Sequence, residues 1–323
     1  MQLIRALNNS LNLSQTSFLD NIPDGLALTI GNFDGVHLGH QALISQLKKE
    51  ANGRKTAVMI FEPQPLEFFS AHNSPPRITH LRDKIKAISK LGIDYLFCFA
   101  FNANLAQLTP KEFIDELLIK KLNVSHLLIG DDFRFGAKRA GDIHSLEYLA
   151  RNRFTVSTLS TISMNGNRIS STALRNALAT NDLHAAEKLL GRPFSISGRV
   201  IHGDKIGATI GFATANIAMK RVHSPVKGVY AVTVLVPNLH SPPSSITYQG
   251  IANIGYRPTV NGKKHLLEVN IFNLNQNLYG QYLVVTLKKK IREETTFVSL
   301  DALKNQISQD IIKVEDFFKA NHA

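Results

Sequence analysis

The sequence predicts an α/β protein: a doubly wound parallel sheet, followed by a small antiparallel β-barrel domain with a C-terminal helix. Up to about residue 160, short apolar runs alternate with amphipathic stretches, as expected for parallel strands joined by helices. Over residues 195–286 the apolar segments are short, rich in Val, Ile and Tyr, and broken by Gly, Pro and Asn, which is typical of antiparallel strands. A chain of 323 residues is long enough for two domains. We predict that these domains comprise residues 1–182 and 183–323.

The first domain is organised around a glycine-rich turn between a strand and a helix. Residues 26–30 form an apolar run that predicts a buried strand, and residues 41–51 carry Leu43, Ile44 and Leu47 at helical spacing. The turn between them contains three glycines, which let the backbone come close to a ligand. The start of the following helix adds N–H groups and a positive dipole end, so such a turn favours phosphate.

The other elements of the first domain follow the same alternation. Strands are predicted at residues 56–61, 94–101, 126–129 and 154–159, and helices at residues 82–91, 142–151 and from Thr109, where Thr-Pro-Lys-Glu is a helix-start signal. Ligands of doubly wound sheets bind beyond the carboxyl ends of the strands. The glycine-rich turn and the turn at Gly130 both fall at such ends.

The second domain is predicted as a barrel with a closing helix. Its strands are predicted at residues 197–202, 229–236, 246–254, 266–272 and 282–288. A helix over residues 300–312 follows, with Ser299 as its N-cap and apolar residues repeating on one face.

Composition restricts the class of protein. An apolar fraction of 44% with 19% charged residues indicates a folded chain. The single cysteine, Cys98, excludes an internal disulfide and a cysteine metal cluster, and its apolar neighbours predict a buried structural thiol. There is no apolar signal core and no apolar run near the ~18 residues of a membrane helix, so we expect a cytoplasmic protein without a membrane partner. The formal charge of +12 is scattered along the chain, which suits anionic substrates better than a nucleic-acid partner.

Two histidines stand at the start of the first helix, in the order His-Leu-Gly-His from His37 to His40. They can place two imidazole donors on one ligand, with Gly39 leaving room between them; the alternative is that they only cap the helix. The fuller run over residues 31–40, Gly-Asn-Phe-Asp-Gly-Val-His-Leu-Gly-His, resembles the nucleotide-binding signature of the adenylyltransferase superfamily. It is similar to the signature of one branch of that superfamily, the bacterial bifunctional riboflavin kinase/FAD synthetases. The resemblance implies that the histidines grip ATP phosphates, and that the nucleotide site also includes Gly31, Asn32, Phe33, Asp34 and Gly39.

Two further motifs in the first domain resemble elements of the same family. Residues 130–136 read Gly-Asp-Asp-Phe-Arg-Phe-Gly, which implies binding roles for Asp132, Phe133 and Arg134; the alternative is a charged loop that pairs with itself. Residues 168–175 read Arg-Ile-Ser-Ser-Thr-Ala-Leu-Arg. Hydroxyls at a helix start often only cap it. The resemblance implies instead that they contact the leaving pyrophosphate, with site residues Ser170, Ser171, Thr172 and Arg175.

The reaction implied for the first domain is attack by the phosphate of FMN on the α-phosphorus of ATP, which forms FAD and releases pyrophosphate. No covalent enzyme intermediate is needed. Catalysis would consist of positioning and charge stabilisation by His37, His40 and Arg175. Gln64 stands where many relatives carry histidine, which puts a role for that side chain in doubt.

In the second domain, residues 198–217 resemble the riboflavin kinase signature. Glycines, including Gly203 and Gly207, surround Lys205 in a flexible loop suited to polyphosphate, and Thr214 and Asn216 offer uncharged oxygens to a hydrated Mg²⁺. The alternative is an ordinary hairpin-rich barrel edge.

Two more segments, residues 250–259 and 267–273, match the family's kinase elements. The resemblance implies binding roles for Asn253 and Arg257, and it makes Glu268 the general base that takes the proton of the riboflavin 5′-hydroxyl as it attacks the γ-phosphate of ATP. The kinase motifs depart from the family at five positions: Ala208, Ala213, Tyr256, Asn270 and Asn273.

The sequence therefore predicts an enzyme that makes FMN from riboflavin and FAD from FMN, using ATP and Mg²⁺ at two sites. Two alternatives remain at this point. One is a nucleotidyl transferase for another phosphorylated cofactor precursor; the other is a basic nucleotide- or RNA-binding protein without catalysis, which a salt-dependent interaction with RNA would reveal. The oligomeric state, the release of FMN between steps and the preference for reduced or oxidised flavin stay open.

Overall fold

A computed structural model describes residues 1–6, 22–164, 166–202, 212–219, 223–237, 245–259 and 262–321, without the side chains of residues 256–265. The chain divides into two compact units. The first consists of Met1–Pro75 and Leu81–Ser171, and the second of Pro76–His80 and Thr172–Ala323.

The first unit is built on a six-stranded sheet in which every pair of neighbours is parallel. The strands are β1 (Gln2–Ala6), β2 (Leu26–Ile30), β3 (Lys55–Glu62), β4 (Tyr95–Ala100), β5 (Val124–Gly130) and β6 (Thr155–Leu159). Their order is β1-β4-β3-β2-β5-β6, so the direction of winding reverses between β2 and β5. Ligands of open α/β sheets bind at this switch point. The glycine-rich turn follows β2 and the Gly130 turn follows β5, so the order places both motifs beside the crevice.

Helices cover both faces of the sheet, which confirms the predicted doubly wound class. They are α1 (Leu38–Glu50), α2 (Pro65–Phe69), α3 (Leu81–Ser89), α4 (Ala103–Gln107), α5 (Pro110–Glu112), which continues as a π-helix over Phe113–Lys121, and α6 (Ile143–Ala150). The π-helix and α6 share one buried cluster with alternate residues of the strands, and α1 and α3 share another. Strands covered on both faces are continuous apolar runs, which explains why they are visible in the sequence. Cys98 is buried, as predicted. A short hairpin, β7 (Ser163–Met164) and β8 (Asn167–Arg168), follows β6.

The second unit contains the predicted antiparallel barrel, closed by six strands in the order β10-β13-β12-β11-β14-β9. They are β9 (Ser195–Ile201), β10 (Ala215–Ala218), β11 (Gly228–Pro237), β12 (Ser245–Thr259), β13 (Gly262–Ile271) and β14 (Tyr282–Arg292). The helices are α7 (Ser171–Ala179), whose first residue belongs to the first unit, α8 (Leu183–Leu190) and α9 (Leu300–Ala320). Ile78, from the short segment Pro76–His80, is buried in the same cluster as Leu174 and Leu178 of α7.

The closing helix is capped as predicted, since the Ser299 side chain accepts a hydrogen bond from the amide of Ala302 at 3.1 Å. It is longer than predicted because Val314 and Phe318 extend its buried face against Val229 and Ile251 of the barrel. Within the described ranges, no helix is long and apolar enough to cross a bilayer.

Candidate active sites

His37 is the N-cap of α1, and its side chain is buried. Its Nδ1 accepts a hydrogen bond from the amide of His40 at 3.3 Å. A neutral imidazole whose Nδ1 accepts carries its proton on Nε2. The capping role and a ligand-binding role are therefore compatible, because the cap itself makes Nε2 a donor.

The ring of His40 lies against that of His37, with centroids 3.7 Å apart and an interplanar angle of 19°. Gly39 allows this arrangement: a Cβ there would lie 3.2 Å from both the His37 ring and the carbonyl oxygen of Ile169. The structure thus brings both predicted histidines together at the start of a helix, beside the switch point of the sheet.

The turn before the histidines holds several residues in left-handed backbone conformations. Phe33 has a φ of 47°, Gly35 of 87° and Val36 of 45°. Such conformations cost non-glycine residues about 1–3 kcal/mol each and persist only where the surroundings enforce them. Phe33 and Asp34 are buried, whereas Asn32 is exposed, so the two buried side chains lie beneath the turn.

Lys84 of α3 is fully buried beneath this turn, and it belongs to none of the sequence motifs. Its Nζ donates to the carbonyl oxygen of Asn32 at 2.6 Å. Lysine is almost never fully buried unless paired, so this contact is unusual. One signal existed in the sequence: Lys84 is three residues after Leu81 and four before Ile88, on the apolar face of the helix.

Within the first unit, the third predicted motif, residues 168–175, contacts the glycine-rich turn. The Ser171 hydroxyl, at the start of α7, donates to the carbonyl oxygen of Asp34 at 2.9 Å. Together with the approach of Ile169 to Gly39, this places Ser170 and Ser171 beside the His-Leu-Gly-His turn. Thr172 is exposed one residue further on.

The second predicted motif, residues 130–136, forms ion pairs with the third, residues 168–175. Arg168 Nη2 lies 2.6 Å from an Asp132 carboxylate oxygen and 3.8 Å from one of Asp131. Asp131 accepts hydrogen bonds from the hydroxyl and amide of Thr161, at 2.7 and 2.9 Å, and these bonds hold its pKa below the ordinary value. Asp132 therefore has a protein partner in this structure.

The aromatic and basic residues of the second motif take different positions. The Phe133 ring stacks on that of Phe135 with centroids 5.7 Å apart, and Phe135 is buried. Arg134 is exposed. Arg175 belongs to the second unit, where its Nε donates to the carbonyl oxygen of Pro76 at 2.7 Å.

Gln64 lies two residues after the end of β3, at the carboxyl edge of the sheet. Its side chain is buried, and its Nε2 has no hydrogen-bond partner among the described residues. A buried donor without a partner is uncommon in proteins and is a group that a ligand would satisfy.

In the barrel, three of the predicted kinase residues form one row across three strands. Asn216 of β10 pairs with Glu268 of β13, and Glu268 pairs with Asn253 of β12. Directly opposite residues of antiparallel strands project from the same face. Their sequence neighbours fill the barrel core, so the row lies on the outer face.

Asn216 is 7% exposed, and its Oδ1 has no hydrogen-bond partner in the described part of the chain. Thr214, two residues earlier, is exposed. Uncharged oxygens with a nearby carboxylate fit a hard cation such as Mg²⁺, which binds proteins through few ligands and keeps several waters. The described residues contain no group of three or more His, Cys, Asp and Glu side chains that could hold a metal.

Two family models match the chain in tandem: FAD synthetase over residues 19–173 and riboflavin kinase over residues 190–318. A bifunctional riboflavin kinase/FMN adenylyltransferase of Escherichia coli (strain K12) is 48% identical over 321 residues, which is 98% of this chain and 98% of the relative. A protein of the same description from Haemophilus influenzae is 45% identical over 323 residues, 99% of this chain and 100% of the relative. The chain belongs to the bifunctional riboflavin kinase/FMN adenylyltransferase family. A crystal structure described as a macrolide-efflux protein from Streptococcus pneumoniae aligns with a TM-score of 0.74 and 28% identity, covering 97% of this chain and 99% of that one.

Two of the departures from the kinase motifs of riboflavin kinase/FMN adenylyltransferases contact each other in the barrel. Asn270 Nδ2 donates to the carbonyl oxygen of Ala213 at 2.7 Å, which ties β13 to the residue before Thr214. Asn273 has a φ of 57° in the turn after β13, a conformation that asparagine tolerates. The other predicted kinase residues and departures lie outside what the structure describes: Gly203, Lys205, Gly207, Ala208 and the side chains of Tyr256 and Arg257.

Proposed function

We propose that this protein phosphorylates riboflavin to FMN and then transfers AMP from ATP to FMN, giving FAD and pyrophosphate. The observation that carries the proposal is the tandem match to both enzyme families, with one polar site in each matched region. We assign adenylyl transfer to residues 1–182 and the kinase to residues 183–323. The expected partners are small molecules in the cytoplasm, with no nucleic acid or membrane partner.

In adenylyl transfer, the stacked histidines and the start of α1 supply donors for the phosphates of ATP. His37 offers Nε2–H because its Nδ1 is engaged by the helix. His40 and Arg175 add charge stabilisation as pyrophosphate leaves, and no group of the protein is modified covalently. Gln64 adds an amide donor at the same edge of the sheet.

The rest of the adenylyl-transfer site is assigned by motif. We assign nucleotide and flavin binding to the residues that the resemblance implies: Gly31, Asn32, Phe33, Asp34, Gly39, Asp132, Phe133, Arg134, Ser170, Ser171 and Thr172. We assign the buried Phe33 and Asp34 the role of supporting the turn.

In the kinase reaction, the oxygen of the riboflavin 5′-hydroxyl bonds to the γ-phosphorus of ATP and the bond to ADP breaks. The hydroxyl proton passes to the carboxylate of Glu268. Thr214 and Asn216 would hold Mg²⁺, which when bound neutralises phosphate charge. Gly203, Lys205, Gly207, Asn253 and Arg257 complete the proposed substrate site.

Chromatography of the products tests the proposal. Riboflavin with ATP and Mg²⁺ should give FMN and then FAD, FMN with ATP should give FAD and pyrophosphate, and chelation of Mg²⁺ should stop both reactions. Adenylylation of a different phosphorylated precursor, with flavins left unchanged, would favour the alternative transferase. Salt-dependent binding of RNA without turnover of ATP would favour a binding protein.

A further inference from the structure

Glu294 lies just after β14, and its carboxylate occupies the space beside a glycine of β12, a strand that β11 separates from β14 in the barrel. A Cβ built on Gly255 would overlap the Glu294 carboxylate. The segment after β14 therefore lays an acidic side chain directly on β12, although Glu294 itself remains exposed. The kinase residues that the sequence motifs imply do not include Glu294.

The strand register places that carboxylate on the same face as the kinase row. Gly255 is two residues after Asn253 on β12, so the two positions face the same side of the sheet. Asn253 is directly opposite Glu268, which makes the Gly255 position a diagonal neighbour of Glu268. Diagonal positions of this kind are ~7–8 Å apart, which is within reach of long side chains.

The electrostatic environment supports this placement. Burial raises the pKa of Glu294, and the charge of Glu268 adds to the rise, while Lys227 and Arg292 act in the opposite direction. The two carboxylates are thus close enough to influence each other.

A second observation points to a ligand on this face. The Oδ1 atom of Asn216, directly opposite Glu268, is buried and has no hydrogen-bond partner among the residues described. Buried polar atoms are normally satisfied by protein or by a bound molecule.

We propose that Glu294 binds hydroxyl groups of the ribityl side chain of riboflavin and thereby holds the terminal hydroxyl against Glu268. This inference rests on the kinase function proposed above. A carboxylate accepts short, charge-assisted hydrogen bonds from hydroxyl donors. Its negative charge disfavours the phosphates of ATP, so the polyol chain, rather than the nucleotide, is the part of the substrates that suits it. Hydroxyls that neighbour the reacting one lie on this same chain, next to the position that Glu268 must reach.

The test compares Glu294→Gln with the matched control Glu293→Gln, an exposed neighbour that pairs with Lys290. Steady-state kinetics of FMN formation give kcat and KM for riboflavin and for ATP. Because hydrogen bonds to charged groups are stronger than those to neutral ones, Glu294→Gln should raise the KM for riboflavin about tenfold. The KM for ATP and all constants of the control should stay within about twofold.

Inhibition by lumiflavin, a flavin that lacks the ribityl chain, separates a contact to the polyol from a general change of the pocket. Its inhibition constant should be the same in the wild-type protein and in Glu294→Gln. An unchanged KM for riboflavin would overturn the inference, as would equal weakening of riboflavin and lumiflavin or a selective loss of ATP. If the wild-type protein forms no FMN, the proposed function fails first, and that result is distinguishable from any effect of Glu294.

Discussion

Replacing Lys84 by methionine should lower FAD formation while leaving FMN formation intact. The Lys84 ammonium, fully buried under the first turn, donates to the carbonyl oxygen of Asn32 at 2.6 Å. Methionine keeps most of the apolar volume against Ile88 and its neighbours but removes the charge and the donor. The turn then loses a contact that helps to hold Phe33 and Val36 in their left-handed conformations.

The expected size follows from that hydrogen bond. A hydrogen bond to a charged group contributes about 1.5–3 kcal/mol. If the lost free energy appears entirely as disordering of the nucleotide site, kcat/KM for FAD formation falls about 10- to 150-fold, at 1.36 kcal/mol for each factor of ten. A smaller loss is expected if part of it appears as reduced stability of the fold.

The assay is FAD formation from FMN and ATP, with FMN formation from riboflavin measured on the same preparation. Lys86→Met is the matched control because Lys86 is an exposed lysine on the same helix. Full FAD-forming activity in a folded Lys84→Met protein would refute the supporting role. A parallel loss of both activities would point to unfolding, which circular dichroism would detect.

Three further predictions address the assigned residues. His40→Ala should lower FAD formation at least tenfold with FMN formation preserved, since one lost donor to developing phosphate charge costs about 2.7–4 kcal/mol. His37→Ala should have the same effect on FAD formation. It should also lower the unfolding free energy by about 1 kcal/mol, because the helix cap is lost. Glu268→Gln should reduce kcat for FMN formation about 10²–10⁴-fold while FAD formation from supplied FMN is normal, and retained kinase activity would exclude Glu268 as the base. Ala213→Pro should raise the unfolding free energy of the second unit by ~0.4–1 kcal/mol if the backbone suits proline, because proline lowers the conformational entropy of the unfolded chain. The Ala213 carbonyl oxygen that accepts from Asn270 is kept. Its kcat for FMN formation should change less than about threefold, and a tenfold change at unaltered stability would show that the position shapes the transition state.

The fold was largely predictable because its elements carry local signals. The buried strands are continuous apolar runs, and Thr109 and Ser299 cap helices at the predicted positions. Strand β1 was missed, since five residues reading Gln-Leu-Ile-Arg-Ala have no distinctive pattern and their pairing with β4 spans about ninety positions of the chain. The end of α9 was also misplaced, because the contacts that extend it lie on distant strands.

The candidate sites were likewise predictable where their residues form a local motif, and not where distant contacts define them. Motifs that are contiguous along the chain, such as the segment from Gly31 to His40, could be identified from the amino-acid sequence alone. Lys84 and Glu294 belong to no motif, and what distinguishes them is a contact with a distant turn or strand. The sequence also could not show that one histidine both caps the helix and presents a donor nitrogen, because this depends on which ring nitrogen accepts.

The segment Pro76–His80 affects how the two activities could be separated by recombination. It belongs to the second compact unit, although the chain returns to the first unit at Leu81. The two units are therefore interleaved along the sequence and are not simply joined end to end. A fragment that starts at residue 183 would lack Ile78, Leu174 and Leu178, each of which contributes about 1.5–3 kcal/mol when buried. No single break in the reading frame releases both segments of the second unit without part of the first. Recombination that transfers residues 183–323 alone into another protein would therefore leave these three buried side chains behind.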